Sequence, residues 1–141
     1  MKNLFRFICV VIVFSMSLSA SANNNSLYEA LGEQEGISSL VEQLLFNIAD
    51  DRRIRHHFAE SDLGRVHEKL SEQICELSGG PCTYTGDDMV TSHTDMGVTR
   101  ADFNALVENL QLAMDDKDLP VATQNRLLAL LAPMHHEIVG Q

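Results

Sequence analysis

The segment Gly79-Gly80-Pro81-Cys82-Thr83-Tyr84-Thr85-Gly86-Asp87-Asp88-Met89-Val90-Thr91-Ser92-His93 gathers the residue types of this chain best suited to chemistry. Its double glycine opens a loop whose backbone can take turns that other residues resist. The residues after Asp88 read as a short helix, with Met89, Val90 and His93 at three- and four-residue spacing on one face. An imidazole set among apolar and thioether side chains can ligate a metal held in a buried macrocycle. Cys75 and Cys82 flank the same turn, and a chain reversal at Gly79-Gly80 can bring them within bridging range. A disulfide and a pair of buried free thiols both fit that spacing. There is no C-x-x-C, so neither a thioredoxin site nor a zinc ribbon is indicated. Of the other histidines, adjacent His56 and His57 cannot both face inward and read as surface residues. His135 and His136, near the C-terminus of a helix, suit its dipole.

The elements around this segment follow from apolar periodicity. Ser26 and Glu29 have capping-box spacing for a short helix with Leu27, Ala30 and Leu31 on its apolar edge, ended by Gly32. Gly36 is expected to open the next helix, with Ile37, Leu40, Val41, Leu44, Leu45 and Ile48 in phase. A corner at Asp50-Asp51-Arg52-Arg53 leads to a helical turn from Ile54 to Phe58. A helix beginning near Ser61-Asp62 places Leu63, Val66, Leu70, Ile74 and Leu77 on one face. After His93, Gly97 breaks the chain and Thr99 caps a helix bearing Phe103, Leu106, Val107, Leu110, Leu112 and Met114. Pro120 starts the last helix, with Leu127, Leu128, Leu130, Leu131, Met134 and Ile138, and Pro133 is a candidate bend. No strand pattern or repeat is evident. The reading is one all-α domain of five or six helices with an unusually long central loop, a feature that tends to be functional in compact domains.

The N-terminus carries a different signal. A basic head with Lys2 and Arg6, an apolar run from Phe7 to Leu18 and Ala20-Ser21-Ala22 make up a secretory signal peptide pattern, with residues 1–22 as the leader and 23–141 as the domain. The apolar run is short for a membrane span. Removing Lys2 and Arg6 takes the net charge from −10 to −12. An acidic surface of that strength disfavours nucleic acid and anionic membranes as partners. The expected location is exported, in a periplasm-like compartment.

From Ser26 onward the chain resembles a group I truncated haemoglobin. Ser26-Leu27-Tyr28-Glu29-Ala30-Leu31-Gly32 is similar to the family's S-[IL]-Y-x-x-[IL]-G opening. Gly79-Gly80 matches its double glycine, and Tyr84 through His93 matches Y-x-G-x-x-M-x-x-x-H. Gly97, Thr99 and Phe103 suit G-[IV]-T-x-x-x-F. Four motifs in order make a specific signal. The resemblance implies a two-over-two helical sandwich around one haem b, with His93 as the proximal iron ligand. It implies reversible binding of O2, NO or CO.

The resemblance also assigns the distal side. It puts Phe58 against the haem, Leu45 where tyrosine is frequent, and Val66 and Leu70 facing the iron where a glutamine often stands. Met89 and Phe103 are expected to line the pocket, and Tyr84 to bond near a propionate. Lys69 is expected to pair with a propionate, with iron ligation by Lys69 or His67 as the alternatives. Leu45, Val66 and Leu70 offer no hydrogen-bond donor to bound O2. The expectation is weak O2 retention, quick autoxidation and relatively favoured CO and NO. NO dioxygenation or peroxidase-type chemistry is the enzymatic alternative. Dioxygenation would require a separate reductase, since no flavin or nicotinamide motif occurs here.

Overall fold

The computed structural model describes residues 25–141; the segment read as a signal peptide lies outside them. Every regular element among the described residues is helical. They are α1 (Leu27–Ala30), α2 (Glu33–Asp50), a 3-10 turn (Arg55–Phe58), α3 (Leu63–Leu77), α4 (Met89–His93), α5 (Arg100–Asp116), α6 (Val121–Leu131), a second 3-10 turn (Ala132–Met134) and α7 (His135–Ile138).

The helix starts are written in short polar side chains. At α1 the Glu29 amide donates to Ser26 Oγ and the Ser26 amide to Glu29 Oε2, a complete capping box. Asp62 caps α3 by accepting from the amides of Gly64 and Arg65, and Thr99 and Asp102 close a second box at α5. Helix α2 begins at Glu33, three residues before the expected start at Gly36. Gly36 instead lies inside its first turn, where a Cβ would strike the Leu31 carbonyl. The glycine therefore lets α1 and α2 approach closely.

Helix α2 is the spine. Ile37, Leu40, Val41 and Ile48 are all but fully buried, and the helix packs against both α3 and α5. Helix α2 thus sits between α3 and α5, and the α6–α7 arm reaches α1 through α6 and α4 through α7. The arm bends as Pro133 suggests: α6 ends at Leu131 and a 3-10 turn carries the chain into α7. Leu63, Leu112 and Leu130, read from periodicity as apolar-face residues, are substantially exposed. No helix among the described residues is long and apolar enough to cross a membrane.

Candidate functional site

A cavity of about 550 Å³ lies among these helices, within the roughly 300–1,000 Å³ typical of small-molecule and cofactor pockets. Leu44, Phe58, Val66, Leu70 and Ile74 line it from α2, the 3-10 turn and α3. Met89, His93 and Met96 line it from α4 and the residues after it, and Phe103, Leu106, Val107 and Leu110 from α5. The C-terminal arm adds Leu128, Leu131, Met134 and Ile138.

His93 is held in this wall by a dense set of polar contacts. Asp88 caps α4, accepting from the Thr91 amide at 2.8 Å and from Thr91 Oγ1 at 2.9 Å. Those bonds hold the Asp88 carboxyl below the usual carboxylate range. His93 Nδ1 donates to the Met89 carbonyl at 2.7 Å. A carbonyl can only accept, so in the neutral imidazole the proton is on Nδ1 and Nε2 keeps its lone pair. A backbone acceptor on the non-ligating nitrogen orients metal-binding histidines in just this way. The C-terminus clasps the chain after α4: the Gly97 amide donates to the Gln141 carbonyl and the Gly140 amide to the Val98 carbonyl, both at 3.0 Å.

The loop ahead of α4 is strapped to α3. Glu72 Oε2 accepts from the Thr85 amide at 3.0 Å and from Thr85 Oγ1 at 2.8 Å. Lys69 Nζ lies 3.0 Å from Glu72 Oε1. Together, led by the Thr85 bonds, these hold the Glu72 carboxyl at a pKa of about 2. Glu76 accepts from the Tyr84 amide. Cys75 and Cys82 form a disulfide across the turn, with Cα atoms 5.8 Å apart. At Gly80 an added Cβ would lie 2.6 Å from Cys75 Sγ and 2.5 Å from the Tyr28 ring, so only glycine fits there.

The structure brings His93, Phe58, Val66, Lys69, Leu70, Tyr84, Met89 and Phe103 together in one wall system, and leaves Leu45 and His67 outside it. Leu44 reaches the cavity, whereas Leu45 packs at the edge of the core. His67 faces α2, its Nε2 bonded to the Ser38 carbonyl at 3.0 Å. The ammonium of Lys69 is occupied by Glu68, Glu72 and Thr85 Oγ1, the last at 2.7 Å. The Tyr84 hydroxyl donates to the Asp87 carbonyl at 2.7 Å.

Among the lining residues not expected from sequence, three bear on the site's chemistry. Gln73, nearly buried on α3, donates weakly to Met89 Sδ at 3.5 Å and is a polar group at the cavity wall. A glutamine in phase with Val66 and Leu70 was a readable signal. Arg65 stands at the rim. His57, read as a surface residue, turns inward: it lines the cavity with Nε2 3.4 Å from Asp102 Oδ2, too poorly aligned for a hydrogen bond. Its neighbour His56 stays exposed, so the pair divides as adjacent residues of a turn must.

Comparison with known proteins agrees with this geometry. Residues 26–140 match the bacterial-like globin family model, and the chain belongs to that family. It is 23% identical over 116 residues to the group 1 truncated haemoglobin of Tetrahymena pyriformis, spanning 82% of this chain and 96% of the relative. It is 27% identical over 113 residues to that of Mycolicibacterium paratuberculosis, spanning 80% and 83%. Among solved structures, the ferric truncated haemoglobin of Tetrahymena pyriformis superposes with a TM-score of 0.80 at 23% identity, covering 83% of this chain and all 100% of the other. The Synechococcus 2/2 haemoglobin in its cyanomet state gives 0.76 at 21% identity, covering 83% and 100%. The fold is the two-over-two truncated globin fold.

Proposed function

We infer that this chain is a haem-binding truncated globin that takes haem b into the cavity and binds diatomic gases at the iron, with His93 as the proximal ligand. The observation that carries the reading is His93: it lies in the wall of an apolar cavity, with Nδ1 committed to the Met89 carbonyl and the Nε2 lone pair available. The cavity suits the group. Its aliphatic, aromatic and thioether walls match a flat apolar ring, and cations at the rim match that ring's carboxylates. Bound haem supplies an iron with a coordination position open to O2, NO or CO. The chain's own residues do the rest. Leu44, Val66 and Leu70 exclude water from one side, Phe58 and Phe103 bound the slot, and the Asp88 cap sets the angle at which α4 presents His93.

With His67 bound to Ser38 and Lys69 held by Glu68 and Glu72, an external gas rather than a side chain is the preferred occupant of the sixth position. Gas binding is favoured over NO dioxygenation or peroxidase-type redox chemistry because Leu44, Val66 and Leu70 are hydrocarbon, the Gln73 amide neither gains nor loses a proton, and His57 stands against Asp102. A separate reductase would serve to keep the iron ferrous. Export to a periplasm-like compartment, with residues 1–22 as the leader, is supported by the N-terminal pattern and by the Cys75–Cys82 disulfide, a bond that persists in oxidising compartments. Titration of the purified 23–141 protein with haem tests the reading. A saturable one-to-one Soret band that shifts with CO after reduction is expected, and His93→Ala should lose that ligation. An unchanged spectrum in His93→Ala would refute the assignment.

A further inference from the structure

We propose that Arg65, rather than Lys69, is the cation that pairs with the carboxylates of the bound macrocycle. The inference rests on the haem reading and names a residue that the family resemblance does not. Two anions already surround Lys69: its ammonium lies 2.9 Å from Glu68 and 3.0 Å from Glu72, with Thr85 Oγ1 filling a third direction. A carboxylate approaching that ammonium meets Glu68 and Glu72, and must either displace them or sit beside like charge. Tyr84, the other group expected at a propionate, spends its hydroxyl on the Asp87 carbonyl.

Arg65 stands one turn earlier on the same face of α3, also at the cavity rim, and its guanidinium makes no ion pair among the described residues. Of the two acids three residues away, Asp62 turns Oδ1 to the amides of Gly64 and Arg65 as the α3 cap, and Glu68 pairs with Lys69. Arg65 and Tyr84 line the same cavity; burial and then the charges of Asp87 and Glu72 raise the Tyr84 pKa, against the smaller opposing charges of Lys69 and Arg65. Arg65 is exposed, as a partner for a solvent-facing carboxylate must be. Its planar fork accommodates a carboxylate bidentately.

The test is the rate at which ferric holoprotein loses haem to an excess of an apoglobin trap, with wild type, Arg65→Gln, Arg65→Lys and Lys69→Gln. Each is loaded with haem and, separately, with haem dimethyl ester, whose carboxylates are masked. Arg65→Gln should speed haem loss roughly fivefold, as expected for one exposed ion pair, and weaken the dependence of the rate on salt. Arg65→Lys should recover part of the loss, and Lys69→Gln should change the rate less than Arg65→Gln. With the dimethyl ester, wild type and Arg65→Gln should release at the same rate. An effect of Arg65→Gln that persists with the ester, or a larger effect from Lys69→Gln, overturns the proposal. Failure of the wild type to form a Soret complex is a different result: it removes the haem reading itself and this assignment with it.

Discussion

Helix α4 and the cavity-facing stretch of α3 border the same space and are fixed by different forces. Helix α4 is five residues long, Met89–His93, too short to be stable alone. Asp88 caps it, Thr91 answers the cap with amide and hydroxyl, His93 bonds back to Met89, and the C-terminal residues clasp the chain just beyond. On α3, Val66 and Leu70 present only hydrocarbon, and polar bonding is displaced to the flank, where Lys69, Glu72 and Thr85 meet. The difference teaches how the work is divided. One imidazole has to be aimed, which takes directional bonds at a site where burial is slight. The α3 side needs only to exclude water and leave room, which undirected apolar packing does.

Placing a donor at Leu70, beside Val66, should produce the largest change. In Leu70→Gln, a hydrogen bond to the polarised gas contributes about 1.5–3 kcal/mol, so O2 dissociation by stopped flow should slow roughly ten- to hundredfold. Unchanged dissociation would mean that Gln73 or another group already serves. Next in size is the turn that feeds α4. Gly80→Ala drives a Cβ into Cys75 Sγ and the Tyr28 ring, and overpacking of that kind costs about 1–3 kcal/mol, readable by denaturant melts.

The strap comes third. Glu72 titrates near 2 in the folded chain against an ordinary 4.5. A depressed carboxylate contributes fully above its ordinary value and loses that contribution as pH falls through the folded one. Protease cleavage within residues 79–88 should therefore rise as pH is lowered from about 4.5 toward 2, assayed with an acid-active protease. Glu72→Gln should raise cleavage already at neutral pH. The smallest effect belongs to Lys69→Ala, which should leave the ferric visible spectrum of the holoprotein unchanged. A spectral change would return Lys69 to the iron.

Much of this division was legible beforehand. The capping residues Ser26, Asp62 and Thr99, the Pro133 break and the apolar faces of α2 and α3 are local features, and local chemistry decides them. The double glycine and the spacing from Tyr84 to His93 marked the turn that carries His93 to the cavity. The misses are matters of rotation and partnership. Leu44 rather than Leu45 reaches the cavity: the two stand about 100° apart on α2, and the motif match set the register one residue late. His67 was an alternative iron ligand by its place on α3, but nothing along α3 shows Ser38 waiting on α2. Gly36 read as a helix opener because the Leu31 carbonyl that requires it comes from another element. His57 and Asp102 are far apart in sequence, and only the packing of the 3-10 turn beside α5 brings them together.

Resonance Raman spectroscopy of the ferrous, ligand-free holoprotein tests most directly whether His93 is the iron's one protein ligand. An iron–histidine stretching band from a five-coordinate iron is predicted in the wild type. That band should be lost in His93→Gly and restored when free imidazole is added. A band that survives His93→Gly, or a six-coordinate low-spin spectrum in the wild type, would contradict it.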